Sequence, residues 1–188
     1  MNEAPRPVTR YPICDASGAL VAIHCREDGP DGKRMWWEQP DGITGLGGLR
    51  TADLPLYGIE RLNGSATVIL VEGEKAAEAL LAIGIQAVGT VTGASGTPGA
   101  IPLAELTGRR VFVWPDNDDV GRRHMQRVAE RLTSIAASVS IIDWPDAPEH
   151  GDAADFLAAG GTREDVEALI DGACPLPDIA GLEPDPTE

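Results

Sequence analysis

The residues of this sequence best suited to chemistry are acidic side chains standing at the ends of apolar runs. Thr67-Val68-Ile69-Leu70-Val71 is followed at once by Glu72 and Gly73. Arg110-Val111-Phe112-Val113-Trp114 is followed by Pro115-Asp116-Asn117-Asp118-Asp119-Val120-Gly121. Both runs read as strands covered on both faces. In an open parallel sheet, ligands bind beyond the carboxyl ends of the strands, where Glu72, Asp116 and Asp118 fall. If the two strands are neighbours, their carboxylates crowd one rim and repel unless a proton or a cation compensates. Oxygen donors favour a hard divalent cation, Mg²⁺ or Mn²⁺, which takes one or two carboxylates together with substrate phosphates. Each acid also has a plainer role. Asp118 or Asp119 can cap the helix that begins near Val120, and Glu72 can offset the dipole of its own helix. Two such motifs in one chain favour the chemical role.

The rest of the chain must hold those acids in place. Glu74 to Ile83 is rich in helix formers, and Gly84 stands where a C-terminal cap belongs. Gln86–Val91 reads as a further strand. Val120, Met125, Val128, Ala129, Leu132 and Ile135 recur at helical spacing. Val139–Trp144 is another strand, and Asp152–Ala159 and Arg163–Ile170 are closing helices. Thr162 and Asp165 have the spacing of a capping box. This alternation predicts an α/β fold over residues 63–172, a parallel sheet flanked by helices. Residues 1–62 read as a small β-rich subdomain. Tyr11–Cys14, Leu20–Cys25 and Lys33–Gln39 are short strand-like runs, separated by the turn sequences Asp15-Ala16-Ser17-Gly18 and Gly29-Pro30-Asp31-Gly32. An antiparallel meander is expected there, then a Gly- and Leu-rich connector over residues 45–62. Residues 173–188 hold Pro175, Pro177, Pro184 and Pro186 with four acids and no base, the composition of an acidic tail.

Of the 188 residues, 43% are hydrophobic and 24% charged, a globular balance that excludes wholesale disorder. No apolar stretch approaches the ~18 residues of a membrane span, and Met1–Arg10 has no signal-peptide pattern. Cys14, Cys25 and Cys174 are odd in number and form no C-x-x-C pair, so a disulfide scaffold and a thiolate zinc site are disfavoured and a reducing cytoplasm is expected. The net charge of −15 is uneven: residues 1–62 carry 7 basic and 9 acidic side chains, residues 63–188 carry 8 and 21. Coating of nucleic acid by a positive surface is disfavoured, but acidic regions handle phosphates through bridging cations. Lys75 lies near the acidic rim. Arg122, Arg123 and Arg127 follow the second acidic motif, with Arg123 and Arg127 on one helix face. Arg26, Lys33 and Arg34, with Trp36 or Trp37 as a stacking platform, suit single-stranded DNA. Strand alternation sends the two indoles to opposite faces, one of them to a core. For all these cations a solvated surface role stays open. Gly93–Gly99 lacks the spacing of a P-loop or a dinucleotide fold and is expected to be a loop bordering the rim.

Val71-Glu72-Gly73-Glu74-Lys75-Ala76-Ala77-Glu78-Ala79-Leu80, followed by Asp116-Asn117-Asp118-Asp119-Val120-Gly121, resembles the TOPRIM domain. That domain is shared by bacterial-type primases, type IA and II topoisomerases, OLD-family nucleases and recombination-mediator proteins. The EGEK form followed by PDND-x-x-G is most similar to the primase and primase–helicase proteins of phages and mobile elements. The segment with Tyr11, Gly18 and Trp36-Trp37 is similar to what precedes TOPRIM there, so the resemblance covers most of residues 8–172. It implies that Glu72 is a catalytic acid or base or a metal-linked carboxylate, and that Asp116 and Asp118 are catalytic ligands of Mg²⁺. Gly151–Leu157 is similar to the third acidic segment of the primase type, which adds Asp152 and Asp155 as metal carboxylates. Lys75, Arg122, Arg123, Arg34 and Trp36 are the candidates for binding phosphate or nucleic acid. One departure is Ala76, where the family pattern often has an Asp. The implied function is a primase-like nucleotidyltransferase that makes short primers on single-stranded DNA from nucleotides. The alternatives are a metal-dependent nuclease and a non-catalytic docking module of a replication complex. With no zinc module and no P-loop motor in these residues, a helicase or other replication protein is the expected partner.

Overall fold

A computed structural model describes residues 6–30, 32–93 and 96–176. The first unit is the expected meander: β1 (Val8–Cys14), β2 (Leu20–Gly29) and β3 (Gly32–Glu38) pair antiparallel in that order. The first turn is closed by the Asp15 carboxylate, which accepts from the Ser17 and Ala19 N–H groups at 2.9 and 3.0 Å. In the second turn, Asp31 lies outside the described residues.

The second unit is a five-stranded sheet in the order β5-β4-β6-β7-β8. Its strands are β4 (Thr67–Val71), β5 (Ala87–Gly89), β6 (Arg110–Trp114), β7 (Ser138–Ile141) and β8 (Cys174–Pro175). The first four are parallel, as the alternation of elements predicts, and β8 runs antiparallel to β7. Cys174–Pro175 therefore belong to the sheet and not to a tail. Residues 177–188, the rest of that expected tail, lie outside the described residues. β5 and β7 are shorter than the apolar runs that announce them. At the end of β7 the chain makes one more bond to its neighbour, Ile142 N–H to Val113 O at 2.8 Å, and then leaves the sheet.

Successive residues of β4 serve two cores, as a doubly covered strand requires. Ile69 and Val71 join a cluster with Ala77 and Leu80 of α1 (Glu74–Ala82), Ala153 of α4 (Ala153–Ala158) and Val166 of α5 (Arg163–Asp171). Val68 and Leu70 face the other way, toward Leu103 of α2 (Ala100–Ala104) and Met125, Val128, Ala129 and Leu132 of α3 (Asp119–Leu132). α2 was not legible in the sequence because it is too short to show a period. α1 ends on Gly84 at φ 78°, with Ile85 N–H bonded to Leu80 O and Gly84 N–H to Leu81 O, both at 3.0 Å. That left-handed cap needs glycine. The capping box of Thr162 and Asp165 forms as expected.

The connector is not a bare linker. Leu54 and Tyr57 pack in the first cluster, Leu56, Ile59 and Leu62 in the second. Tyr57 exchanges backbone hydrogen bonds with Gly89 at 2.9 and 3.0 Å, extending the sheet edge beyond β5. Ile13 and Ala22 of the meander share the first cluster, so one face of the small sheet is held against the larger unit.

Candidate functional site

β4 and β6 lie side by side with Val71 opposite Trp114, so the chain leaves both strands at one rim. Glu72 follows one strand and Asp116 the other, as the paired motifs predict. The Asp116 N–H donates to Glu72 Oε1 at 3.3 Å. Gly121, in the first turn of α3, makes this approach possible. A Cβ there would stand 2.4 Å from Glu72 Oε1 and 3.1 Å from Asp116 Cβ. Gly89 plays a similar part behind the rim, where a Cβ would meet Gly73 O at 2.7 Å.

Asp118 is both a cap and a rim residue. Its Oδ1 accepts from the Val120 and Gly121 N–H groups at 2.9 and 2.7 Å, and its Oδ2 faces His150 Nδ1 at 2.7 Å. The Gly121 N–H, His150 and the Val120 N–H hold its carboxyl below the usual range. His150, an exposed residue at φ 61°, is raised in turn by its bond to Asp118. Glu72 and Asp116 behave in the opposite way. Burial raises Glu72; the Asp116 N–H opposes this, and the charges of Asp118 and Asp152 add to it. Burial, then Glu72, Asp152 and Asp118, push Asp116 up to about 7, against a lesser pull from Lys33.

Asn117 ties the third acidic segment to this rim. Its Nδ2 donates to the carbonyls of Ala147 and Pro148 at 2.8 and 3.0 Å, and its N–H to Gly151 O at 2.9 Å. The segment ends at Asp152, which faces the cleft and caps α4. Asp152 Oδ1 accepts from Asp155 N–H at 2.8 Å, and Asp155 Oδ2 accepts from Asp152 N–H at 3.2 Å. Asp155 is thus turned into the capping box, where Lys75 Nζ lies 3.5 Å from its other oxygen. Arg122 is engaged as well: it donates to Asn117 Oδ1 at 2.7 Å and Asp119 Oδ1 at 2.8 Å, supporting the residue that holds the loop. Arg123 lies on the exposed face of α3, in a shallow groove with Gln126 and Glu130 rather than in the cleft.

Behind the rim, Thr90 grips two consecutive carbonyls. Its N–H donates to Val71 O at 2.9 Å and its hydroxyl to Glu72 O at 3.1 Å. The hydroxyl also meets Nε2 of His124, a fully buried residue of α3, at 3.3 Å. Nδ1 of that ring has no hydrogen-bond partner among the described residues. Burial and the Arg127 charge lower the His124 pKa, against a smaller opposing effect of the Gly96 backbone, and so favour the neutral ring.

The rim opens on a cleft of about 690 Å³ whose opposite wall is the inner face of the meander. Register decides which residues that face carries. Tyr11, His24 and Trp37 are directly opposed and share it with Arg26, Lys33 and Met35. His24 stacks on Trp37, ring centroids 4.0 Å apart and planes within 7°, and its Nδ1 lies 2.6 Å from Oε1 of the buried Glu74. Arg34 and Trp36 sit on the other face, away from the acids. Arg34 lies over the Trp36 ring at 5.1 Å, and Trp36 Nε1 donates to Glu38 at 3.0 Å. Alternation foretold the split between the two indoles but not which of them meets the cleft. Asn117, Thr90, His124, His150 and the His24–Glu74 pair carried no local signal, since each gains its place from a partner more than 15 residues away. The Gly93–Gly99 loop borders the cleft at Gly93, with Ala94 and Ser95 outside the described residues.

Among the described residues, no group of three or more His, Cys, Asp or Glu side chains is already closed around a metal position. The donor chemistry fits Mg²⁺ or Mn²⁺ all the same. Glu72, Asp116 and Asp152 present carboxylate oxygens to one rim, where Glu72 and Asp152 raise the proton affinity of Asp116, and a hard cation needs only one or two of them beside phosphate and water. Ala76 lies buried on the same cleft and offers no oxygen where the primase pattern often has one. No helix of the described residues is long and apolar enough to cross a membrane.

No family model matches the chain, and no curated protein does. Solved structures match over nearly its whole length. A DNA primase domain from Pseudomonas aeruginosa superposes with a TM-score of 0.70 and 22% identity, over 92% of this chain and 53% of that one. The zinc-binding and RNA polymerase domains of the Aquifex aeolicus primase give 0.67 and 24%, over 91% and 41%. The primase fragment of the bacteriophage T7 primase-helicase protein gives 0.60 and 17%, over 89% and 64%. The chain spans about half the length of the first two. Its fold is that of the TOPRIM-containing primase catalytic core, with the β-rich unit preceding the α/β unit as the sequence resemblance implies.

Proposed function

We propose that this chain is the catalytic core of a primase-like nucleotidyltransferase, joining nucleotides into short primers on single-stranded DNA. The observation that carries the reading is the cleft itself. One wall is a rim of carboxylates, Glu72, Asp116 and Asp152, and the other is a strand face with Arg26, Lys33 and the stacked Trp37. A triphosphate needs the first wall through a divalent cation, and a template strand needs cations and an aromatic surface. The acidic rim has no use for a polyanion unless a cation mediates.

Asp116, Asp118 and Glu72 would hold Mg²⁺ or Mn²⁺, with Asp152 at the edge; the bound ion supplies charge neutralisation and a more acidic 3′-hydroxyl. The protein's own contribution is positioning. The Asp118 cap bonds and the Asp116 N–H bond to Glu72 hold the carboxylates before substrate arrives. Glu72, with its raised proton affinity, is the group suited to receive a proton at the rim. Lys33, close enough to lower Asp116, is the cation of the opposite wall suited to phosphate. Asp155, Lys75 and Arg122 act as supports, holding α4 and the Asn117 loop. The helicase partner, DNA binding and an intracellular setting belong to the same proposal.

The test is primer synthesis with labelled nucleotides on a mixed single-stranded template, with and without Mg²⁺. Extension that depends on Mg²⁺ and falls ~10³-fold or more in Asp116→Ala/Asp118→Ala is the expected result. Extension that survives the double substitution overturns the mechanism. DNA cleavage without nucleotide incorporation would replace it with the nuclease reading.

A further inference from the structure

We propose that His124 and Thr90 form a positioning relay that fixes the main chain at Glu72, and through it the Glu72 carboxylate against Asp116. The inference rests on the reading of Glu72 as part of the polymerising site. Thr90 borders the cleft, but its hydroxyl and N–H are engaged by the Glu72 and Val71 carbonyls, and His124 is fully buried; both act through Glu72.

The direction of the relay follows from counting hydrogens. Thr90 has one hydroxyl proton, and the Glu72 carbonyl at 3.1 Å can only accept it. Toward His124 Nε2, at 3.3 Å, the hydroxyl must therefore accept, so Nε2 carries the ring proton. The chain runs His124 Nε2–H to Thr90 Oγ1–H to Glu72 C=O. In that tautomer Nδ1 carries a lone pair and has no hydrogen-bond partner among the described residues, with the Gly96 backbone as a further polar neighbour of the ring.

The placement of an imidazole here calls for a reason. His124 is fully buried and belongs to the same helical stripe as Met125, Val128, Ala129 and Leu132. An apolar side chain would fill that place without stranding a polar atom. What the imidazole adds is a link between two elements that must keep register. α3 starts from its cap Asp118, and less than two turns later His124 reaches Thr90 just after β5, whose hydroxyl bonds the Glu72 carbonyl. Thr90 tightens the same point by holding Val71 O with its N–H at 2.9 Å. Glu72 is thus held at its carbonyl by Thr90 and at its carboxylate by the Asp116 N–H. The two acidic motifs meet at one distance because both ends of Glu72 are fixed.

The experiment compares wild type with Thr90→Val, Thr90→Ser, His124→Leu and His124→Gln by three readouts. Valine keeps the shape of threonine and removes the hydroxyl, serine restores it, and glutamine restores an N–H near Nε2. Long-range proton–nitrogen NMR of the wild-type protein should show His124 protonated at Nε2. Mn²⁺ titration should weaken several-fold in Thr90→Val and His124→Leu and recover in Thr90→Ser and His124→Gln. In primer synthesis, Thr90→Val should lose ~10- to 100-fold in kcat with nucleotide KM within about twofold, the pattern of misplacement rather than lost binding. Protonation of His124 at Nδ1 overturns the relay. So does Thr90→Val matching wild type in both Mn²⁺ affinity and turnover, or Thr90→Ser failing as badly as Thr90→Val. If the wild type makes no primers, the proposed function fails while the tautomer and the Mn²⁺ series still decide the relay.

Discussion

Two glutamates six positions apart, Glu72 and Glu78, take opposite parts. Glu78 projects from α1 toward the connector, where Tyr57 and Arg61 both donate to its Oε1. Burial acts to raise its pKa, but the Tyr57 hydroxyl and the Arg61 guanidinium outweigh it, and the carboxyl lies below its usual range. Glu72 is more enclosed than Glu78, has one backbone N–H for company and two other carboxylates nearby, and its pKa is raised. The residue type is shared; Glu78 is half-exposed where Glu72 is more enclosed, and the partners differ. An acid whose charge is met by donors is a structural latch, here joining connector to helix. An enclosed acid whose charge is left for something outside the protein marks a candidate site. Glu74, between the two in sequence, pairs with His24, falls on the latch side and ties the meander to the first turn of α1.

That contrast can be broken at several points. A large geometric effect is expected from Gly121→Ala, whose Cβ must displace the Glu72 carboxylate or Asp116. Primer synthesis should fall ~10²-fold, as a misplacement of about 1 Å does, with the circular dichroism spectrum unchanged. Wild-type turnover would show that the rim does not need this contact. Glu78→Ala should do the reverse. Leaving the Tyr57 hydroxyl and Arg61 without their acceptor should destabilise by ~1–3 kcal/mol in urea unfolding, while kcat per folded molecule stays within about twofold. A large kcat loss with unchanged stability would place Glu78 in the site.

Asp116→Asn sharpens the same point through pH. The carboxyl titrates near 3.8 when unfolded and at about 7 when folded. Between those values the unfolded chain has lost a proton that the native state keeps, so this group's contribution to stability falls as pH rises from about 4 to 7 and stays lost above. Without divalent cation, the variant should therefore gain Tm on wild type at pH 8, gain less at pH 5, and be inactive. An equal Tm difference at both pH values would mean that Asp116 is not raised. The smallest effect belongs to Lys75→Ala. Its half-exposed pairing with Asp155 at 3.5 Å is worth ~0.5 kcal/mol or less, and nucleotide KM should hold within about twofold. A tenfold rise in KM would return Lys75 to phosphate binding.

Much of the architecture was legible before any coordinates. β4 and β6 have the bounds of their apolar runs, α3 follows its apolar stripe, and the Thr162–Asp165 box forms. Hydrophobic period and capping chemistry act over a few residues, so local sequence displays them. The site was legible in part. Glu72, Asp116 and Asp118 announce themselves by standing after strands. Asp155, Lys75 and Arg122 stand as close to the motifs in sequence, but their side chains turn to local partners. Thr90 and His124 looked like ordinary residues of a strand end and a helix.

By itself the sequence determined that two parallel strands end in acids and that a meander with one buried face precedes them. Both follow from side-chain alternation and helical period along a single stretch of chain. Only the tertiary structure decided which acids have their proton affinity raised, which indole looks into the cleft, and that a histidine on α3 meets the threonine that bonds the Glu72 carbonyl. Those outcomes depend on desolvation and on hydrogen-bond partners brought together across the fold. A proton's free energy at Asp116 is set first by burial and then by Glu72, Asp152 and Asp118, groups that the fold brings around it.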